Sequence, residues 1–323
     1  MKIKDMINII KAIDIHSHIG NILYPSGGDL IFRTGIKFPS STGLQYLDEK
    51  NLYRDTFISK KLEKLFPMWA TNCERKRNSA ATLENFKISM LTVKTGIEIK
   101  YSVCLPIAPN NTYEDTRTAA ESDPRIVPFT SPDFTSDLMT EKLMSDLNDG
   151  AAGVKIHPIL QETPADSEEI MRAVETVSTY SNYIPVLFHA GEAKYYTPEE
   201  NKKQFSQNAS IDKIERVISS FPEINFIVGH AGLREIVQVM DLLSKYNNAY
   251  VDTSFQPPEA IKALVSSFGG EKVLFASDWP YGLRIPALMA VKEACGNDDV
   301  LLKAILFDNA AGILNLPFKI VNY

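Results

Sequence analysis

Pro185-Val186-Leu187-Phe188-His189-Ala190-Gly191 is a short apolar run that ends in a histidine and two small residues. Its apolar residues are consecutive rather than alternate, the pattern of a strand covered on both faces. Ser167 to Tyr180 before it and Ile211 to Ser220 after it carry apolar residues at helical spacing. A buried strand set between helices implies a parallel sheet.

The unit repeats in both directions along the chain. Downstream, Asn225-Phe226-Ile227-Val228-Gly229-His230-Ala231-Gly232, Ala249-Tyr250-Val251-Asp252-Thr253-Ser254 and Lys272-Val273-Leu274-Phe275-Ala276-Ser277-Asp278-Trp279-Pro280 read as strands, with helices over Leu233 to Tyr246 and Pro258 to Ser267. Upstream, Ala152-Gly153-Val154-Lys155-Ile156-His157-Pro158, Arg125 to Thr130 and Tyr101 to Leu105 read the same way, with helices over Thr135 to Asn148, Tyr113 to Glu121 and Thr82 to Thr95. Lys11-Ala12-Ile13-Asp14-Ile15-His16-Ser17-His18 supplies the first strand. Period-two alternation there sends Ile13 and Ile15 to one side and Asp14, His16 and His18 to the other. Helices around Ile285 to Cys295 and Asp298 to Leu306 finish the core. Eight strands alternating with helices predict an α/β fold, a closed (β/α)8 TIM barrel formed as a single domain over residues 1–323. No glycine-rich phosphate loop follows the first strand, which removes the main support for a dinucleotide-binding sheet.

Regularity lapses between Gly20 and Ala81, where Gly, Pro, Ser and charges mix with scattered aromatics and only short helical pieces such as Thr56 to Leu65 stand out. This stretch reads as a long insertion after strand one, lying over the active face, where such loops shape substrate sites.

Composition narrows the function. Hydrophobic content of 44% and charged content of 23% are those of a globular domain with a sizeable core. A net charge of -6, with no basic cluster beyond Arg75-Lys76-Arg77, offers no footprint for nucleic acid or a membrane surface. Cys73, Cys104 and Cys295 are odd in number and far apart, as reduced thiols are, with Cys104 packed in a strand. Without a signal-peptide pattern or a long apolar run, the expected setting is cytoplasmic.

The sequence holds five histidines, His16, His18, His157, His189 and His230, and each falls at the C-terminal end of an expected strand, as does Asp278. In a barrel those ends converge on one face, where active sites are built. His16-Ser17-His18 alone is a weak metal motif; its weight comes from the other groups on that face.

His16-Ser17-His18, His189-Ala190-Gly191-Glu192, Gly229-His230-Ala231-Gly232 and Ser277-Asp278-Trp279-Pro280 resemble the ordered motifs of the amidohydrolase superfamily of metal-dependent barrels. Within it the chain most resembles the amidohydrolase-2 branch, which holds hydrolases, lactonases, hydratases and non-oxidative decarboxylases; Gly153-Val154-Lys155-Ile156-His157-Pro158 and Asn309-Ala310-Ala311-Gly312-Ile313-Leu314 fit that branch too. The resemblance implies that His16, His18, His189 and Asp278 bind one divalent ion, zinc by ligand preference, with a second ion left open. It implies that Asp278 is also the base that takes a proton from water, and that His230 transfers a proton, polarises a carbonyl or ligates a second ion. Lys155 is a carboxylated bridge between two ions, a substrate contact, or a lysine paired with a carboxylate such as Asp14. His157 is a substrate contact. Asp14 orients ligands or pairs with a barrel cation, Trp279 and Pro280 shape the rim, and Arg33, Arg54 and Arg284 are candidate anchors for a substrate carboxylate.

The expected activity is hydrolysis of a C–N or C–O bond in a small, carboxylate-bearing molecule by metal-activated water. The alternative on the same scaffold is a metal-dependent non-oxidative decarboxylase. The expected partner is a small-molecule substrate, and a homodimer fits the resemblance.

Overall fold

Strand β1, Ile10–Ser17, is the longest in the sheet together with β2, Ile97–Cys104, and the two pair in parallel. The computed structural model describes residues 9–39, 67–196, 200 and 205–315. Six shorter strands follow: β3 Ile126–Pro128, β4 Val154–Ile156, β5 Val186–Phe188, β6 Phe226–Val228, β7 Ala249–Asp252 and β8 Val273–Leu274. Ladders join β1-β2-β3 and β4-β5-β6-β7-β8, all in parallel. Backbone bonds link the two sets at both junctions. Lys155 N–H donates to Thr130 O (2.7 Å), and between β8 and β1 Ile15 N–H donates to Phe275 O (3.0 Å) and Asp278 N–H to His16 O (2.8 Å). The fold is the expected TIM barrel, with strand order running round in sequence.

Two layers of apolar residues follow from the alternation along these strands. Ile13, Ile15, Val103, Leu187, Ile227 and Leu274 fill the barrel interior and meet Ala310 and Ile313 of the helix Asn309–Ile313 and Leu314 just after it. Val154, Ile156, Val186, Phe188, Phe226 and Val228 face outward into the ring of helices. Lys155, alternating with Val154 and Ile156, therefore points inward, and it is fully buried.

β1 departs from simple alternation. Its register to β2 shifts between Asp14 and Ser17, where three steps on β1 oppose two on β2. The bulge turns His16 to the interior beside Ile15, so His16 and His18 share a side but Asp14 does not. Asp14 lies behind the strand, accepting from Arg284 Nη1 (2.7 Å) and Ser277 Oγ (2.5 Å). This corrects the expectation of three polar side chains on one face.

Helix ends were less regular than their apolar spacing. The helix beginning at Leu83, capped by the Thr82 side chain, stops at Ser89, and Thr92 Oγ1 donates instead to Ile97 O (2.9 Å). The helix expected from Thr135 starts at Met139, because Asp133 Oδ1 takes the Thr135 amide and hydroxyl into a local turn. Of the insertion, the described part includes a helix over Pro67–Asn78. Arg54 and the expected helical piece Thr56 to Leu65 lie outside the described residues. Among the described residues no helix is long and apolar enough to cross a membrane.

Candidate metal centre

The carboxyl ends of the strands bring His16, His18 and Asp278 together: one ligand atom from each lies within 4.8 Å of the other two, and all three residues are buried. Asp278 Oδ1 is 3.5 Å from His16 Nε2 and 3.3 Å from His18 Nε2. These contacts are not ion pairs. Burial, reinforced by the Lys155 charge, pushes His18 down to about 3 and His16 well below the usual imidazole range. His18 Nδ1 bonds Leu105 O (2.7 Å) and His16 Nδ1 bonds Asp252 Oδ2 (2.7 Å), so each neutral ring carries its proton on Nδ1 and turns a lone pair at Nε2 toward the carboxylate.

Three acceptors thus face one another, and buried Asp278 Oδ1 has no hydrogen-bond partner. An orphaned buried oxygen costs about 1–3 kcal/mol unless a cation meets it. Tetrahedral ligands about 2.1 Å from an ion stand about 3.4 Å apart, which is the spacing of Asp278 Oδ1 from the two imidazoles. The residues fit a divalent metal. The second group of possible ligands, His16, His230 and Asp252, is a hydrogen-bonded cluster: at 2.7 Å the His16 Nδ1–Asp252 contact is a direct bond.

The remaining predicted residues surround this triad. Lys155 Nζ is 3.2 Å from His16 Nε2, and burial pulls its pKa from 10.5 to about 7 against the opposing charges of Asp278 and Asp252. Its neighbour is thus His16 rather than Asp14. His189, expected as a ligand, is not in the triad. Its Nδ1 is 3.1 Å from His230 Nε2, and its Nε2 is 3.2 Å from Gly191 O. His157 stacks on His189, centroids 4.1 Å apart, and its Nε2 is 3.0 Å from the Tyr195 hydroxyl. His230 is held with φ 57° in a left-handed turn, and burial first, then His16, pushes its pKa well down. Asp278, also left-handed at φ 53°, is pushed well above the ordinary carboxyl range by burial, with Lys155 opposing. Backbones held there mark sites that the surroundings over-determine.

Several expected contacts fall elsewhere. Arg284 is buried behind β1, its Nη1 on Asp14 Oδ2 (2.7 Å) and Ser102 Oγ (2.9 Å) and its Nε on Ser89 Oγ (3.0 Å), so it anchors the scaffold and not a substrate. Trp279 is buried, packed between Phe38 and Phe86 with the Arg284 guanidinium over its ring. Arg33 is an exposed surface residue. Cys104 is core, its thiol pushed up to about 12 by burial.

Sequence reasoning missed Asp252, Ser254, Tyr195 and Tyr281. Asp252 ends β7 at the same level as the histidines, so the rule that found them applies equally to it. Ser254 follows two residues later and is fully buried. Tyr195, whose hydroxyl reaches His157, sits in an irregular loop after β5 and gave no pattern. Tyr281 stands edge-on to His18 at 5.9 Å, and Phe255 lies 5.4 Å from His230. With Ile22, Leu23 and Tyr196 these form an apolar cluster beside the triad.

The family model described as Amidohydrolase (Amidohydro_2) matches residues 80–316, which leaves the His16-Ser17-His18 strand outside the match. No curated protein matches the sequence. Among solved structures, the chain is similar to an uncharacterized TIM-barrel protein from Bordetella bronchiseptica, at 17% identity and a TM-score of 0.62, over 95% of this chain and 99% of that one. It is also similar to a 5-carboxyvanillate decarboxylase from Novosphingobium aromaticivorans with bound manganese, at 15% identity and 0.58 over 95% and 97%. A third, a probable 2-pyrone-4,6-dicarboxylic acid hydrolase from Acinetobacter baumannii, shares 15% identity at 0.55 over 94% and 99%.

Proposed function

The chain belongs to the amidohydrolase family (Amidohydro_2) and is a metal-dependent enzyme of that type; on this premise we propose that it hydrolyses a C–N or C–O bond of a small, carboxylate-bearing molecule. The observation that carries the reading is the orphaned Asp278 Oδ1 set 3.5 and 3.3 Å from the His16 and His18 Nε2 lone pairs. His189, one contact removed at His230, completes the ligand set. A divalent ion there, zinc in this reading, supplies Lewis acidity when bound: it makes a water acidic near neutral pH and polarises an acyl oxygen.

The protein's own groups move the protons. Asp278 accepts one from the attacking water as oxygen adds to the acyl carbon, and returns it to the amine or alkoxide as the C–N or C–O bond breaks. His230, with its Nδ1 3.9 Å from Asp278 Oδ2, is the second proton-transfer group. His157 and Lys155 contact the substrate, Lys155 as the positive end that meets its carboxylate. Ile22, Leu23 and Tyr24 of the insertion pack with Tyr196 and Tyr281 beside the site, which supports the insertion as the part that selects substrate within a single-domain barrel. The widely spaced cysteines support a cytoplasmic setting, and the reading includes a homodimer.

The aromatic cluster favours a second reading, non-oxidative decarboxylation of an aromatic acid. There Asp278, whose carboxyl burial pushes toward the protonated form with Lys155 opposing, delivers a proton to the ring carbon that loses carbon dioxide. One experiment tests both. Chelation is expected to abolish turnover and zinc or manganese to restore it, while His18→Ala and Asp278→Asn each lower kcat/KM by about a thousandfold or more. Full turnover in stripped or substituted protein overturns the metal-dependent reading. Oxygen-18 from solvent in the product identifies hydrolysis; release of carbon dioxide without it identifies decarboxylation.

A further inference from the structure

Asp252 gathers four hydrogen bonds on one buried carboxylate. Oδ1 accepts from the His230 amide (2.9 Å), the Ser254 amide (3.0 Å) and the Ser254 hydroxyl (2.5 Å), while Oδ2 faces His16 Nδ1 at 2.7 Å. We propose that Asp252 is a positioning residue that sets the tautomers of both His16 and His230, directing one ring to the metal position and the other to proton transfer. The proposal rests on the metal-dependent reading for its purpose, though not for its geometry.

The direction of each proton follows from the donors available. Asp252 acts as acceptor only, so His16 carries hydrogen on Nδ1 and keeps a lone pair at Nε2, 3.2 Å from Lys155 Nζ and 3.5 Å from Asp278 Oδ1. Ser254 has one hydroxyl hydrogen and gives it to Asp252. Toward His230 Nδ1, 2.7 Å away, Ser254 Oγ can then only accept, so His230 carries its hydrogen on Nδ1 and leaves Nε2 unprotonated. His230 Nε2 lies 3.1 Å from His189 Nδ1, and the Nε2 of that second ring faces Gly191 O at 3.2 Å. One carboxylate therefore orders two rings. A metal ligand's second nitrogen held by a carboxylate is a general way to fix orientation and raise basicity; here the same carboxylate also reaches the residue that moves protons.

Asparagine at this position makes a sharp prediction. Two backbone amides fix an acceptor at the Oδ1 place, so the amide oxygen of Asp252→Asn stays there and its NH2 turns to His16. That group needs a lone pair at Nδ1, and His16 switches to the Nε2–H form. We test this on the full chain labelled with nitrogen-15 histidine, stripped of metal and then loaded with zinc. Long-range proton–nitrogen spectra of the stripped wild type should show Nδ1–H at His16 and His230. Asp252→Asn should convert His16 to Nε2–H, leave His18 unchanged, and weaken zinc affinity about 10–100-fold in competition with a chromophoric chelator. Ser254→Ala should release the His230 tautomer while His16 and zinc affinity stay as in wild type. Retention of Nδ1–H at His16 in Asp252→Asn, or equal loss of zinc affinity in both variants, overturns the proposal. Should Asp252→Asn not fold, the wild-type spectrum decides: Nε2–H at His16 overturns it and Nδ1–H supports it. If wild type takes up no zinc but His16 still responds to Asp252→Asn, the positioning role stands and the metal-dependent reading falls; tight zinc binding with an unresponsive His16 gives the reverse.

Discussion

At the scale of single residues, the ion pair between Asp14 and Arg284 does structural work that resembles functional chemistry in sequence. Both groups are buried, 2.7 Å apart, and the guanidinium also lies over Phe86 and Trp279. Burial raises the Asp14 carboxyl while Arg284 opposes the shift, so removing the arginine leaves a buried carboxyl without its charge partner. Arg284→Met is therefore expected to cost about 3–5 kcal/mol in urea unfolding, and adding Asp14→Asn should recover much of that loss. An undiminished midpoint for the single variant would contradict the pairing. Asp14 and Arg284 were both legible as notable charges, but their pairing depends on the bulge that turns Asp14 behind β1, and sequence spacing carries no bulge. Asp252 shows the opposite case. Its place at a strand end was legible, but an aspartate closing a short strand looks like any other turn residue; only the 2.7 Å contact across to His16, 236 positions earlier, reveals its role.

Elements set how closely the catalytic loops approach. Gly191, at φ 92°, lies in the loop after β5, two residues past His189, and a Cβ there would meet Gly232 O at 2.3 Å, in the loop that carries His230. Backbone faces backbone, so neither loop can yield by turning a side chain. Gly191→Ala is expected to cost about 2 kcal/mol or more and to weaken zinc binding by separating His189 from His230. Gly150, at φ 103° with nothing within 4 Å of its Cβ position, is the control: alanine there should cost only about 1–2 kcal/mol of left-handed strain and leave zinc binding unchanged. Equal zinc affinity in both variants would refute the close-approach account. The order and type of elements were readable because the strands are buried on both faces and the helices on one. Their ends were not. The loop Gly229–Glu235, expected to be helical from Leu233, holds His230, Ala231 and Leu233 at positive φ instead. That conformation is stabilised by Asp252 and by Gln256 Nε2 on His230 O (2.6 Å), which are long-range partners.

For the whole molecule, the concentration of uncharged imidazoles at one end of the barrel predicts how stability depends on pH. Burial lowers the pKa of all five histidines, His18 to about 3 from 6.5. Below pH 6.5 the unfolded chain binds protons that the metal-free folded chain refuses, so unfolding free energy falls as pH falls, by up to about 1.4 kcal/mol per pH unit for each proton. Asp278 and Asp14, raised by burial, act with the opposite sign, taking up protons in the folded state above the unfolded value of 3.8. Glu235 is raised too, and three carboxyls against five imidazoles leave acid destabilisation as the net result. Lys155 extends the slope on the alkaline side, because between about pH 7 and 10.5 the folded chain sheds a proton that the unfolded chain keeps. Urea midpoints of the metal-free protein should thus rise from pH 4.5 to neutrality and climb further toward pH 9. Zinc should steepen the acid limb, since protons compete with the ion for Nε2. A midpoint that is flat or higher at pH 4.5 would mean that the imidazoles are charged in the folded chain, and the convergence of lone pairs on Asp278 would then be lost with it.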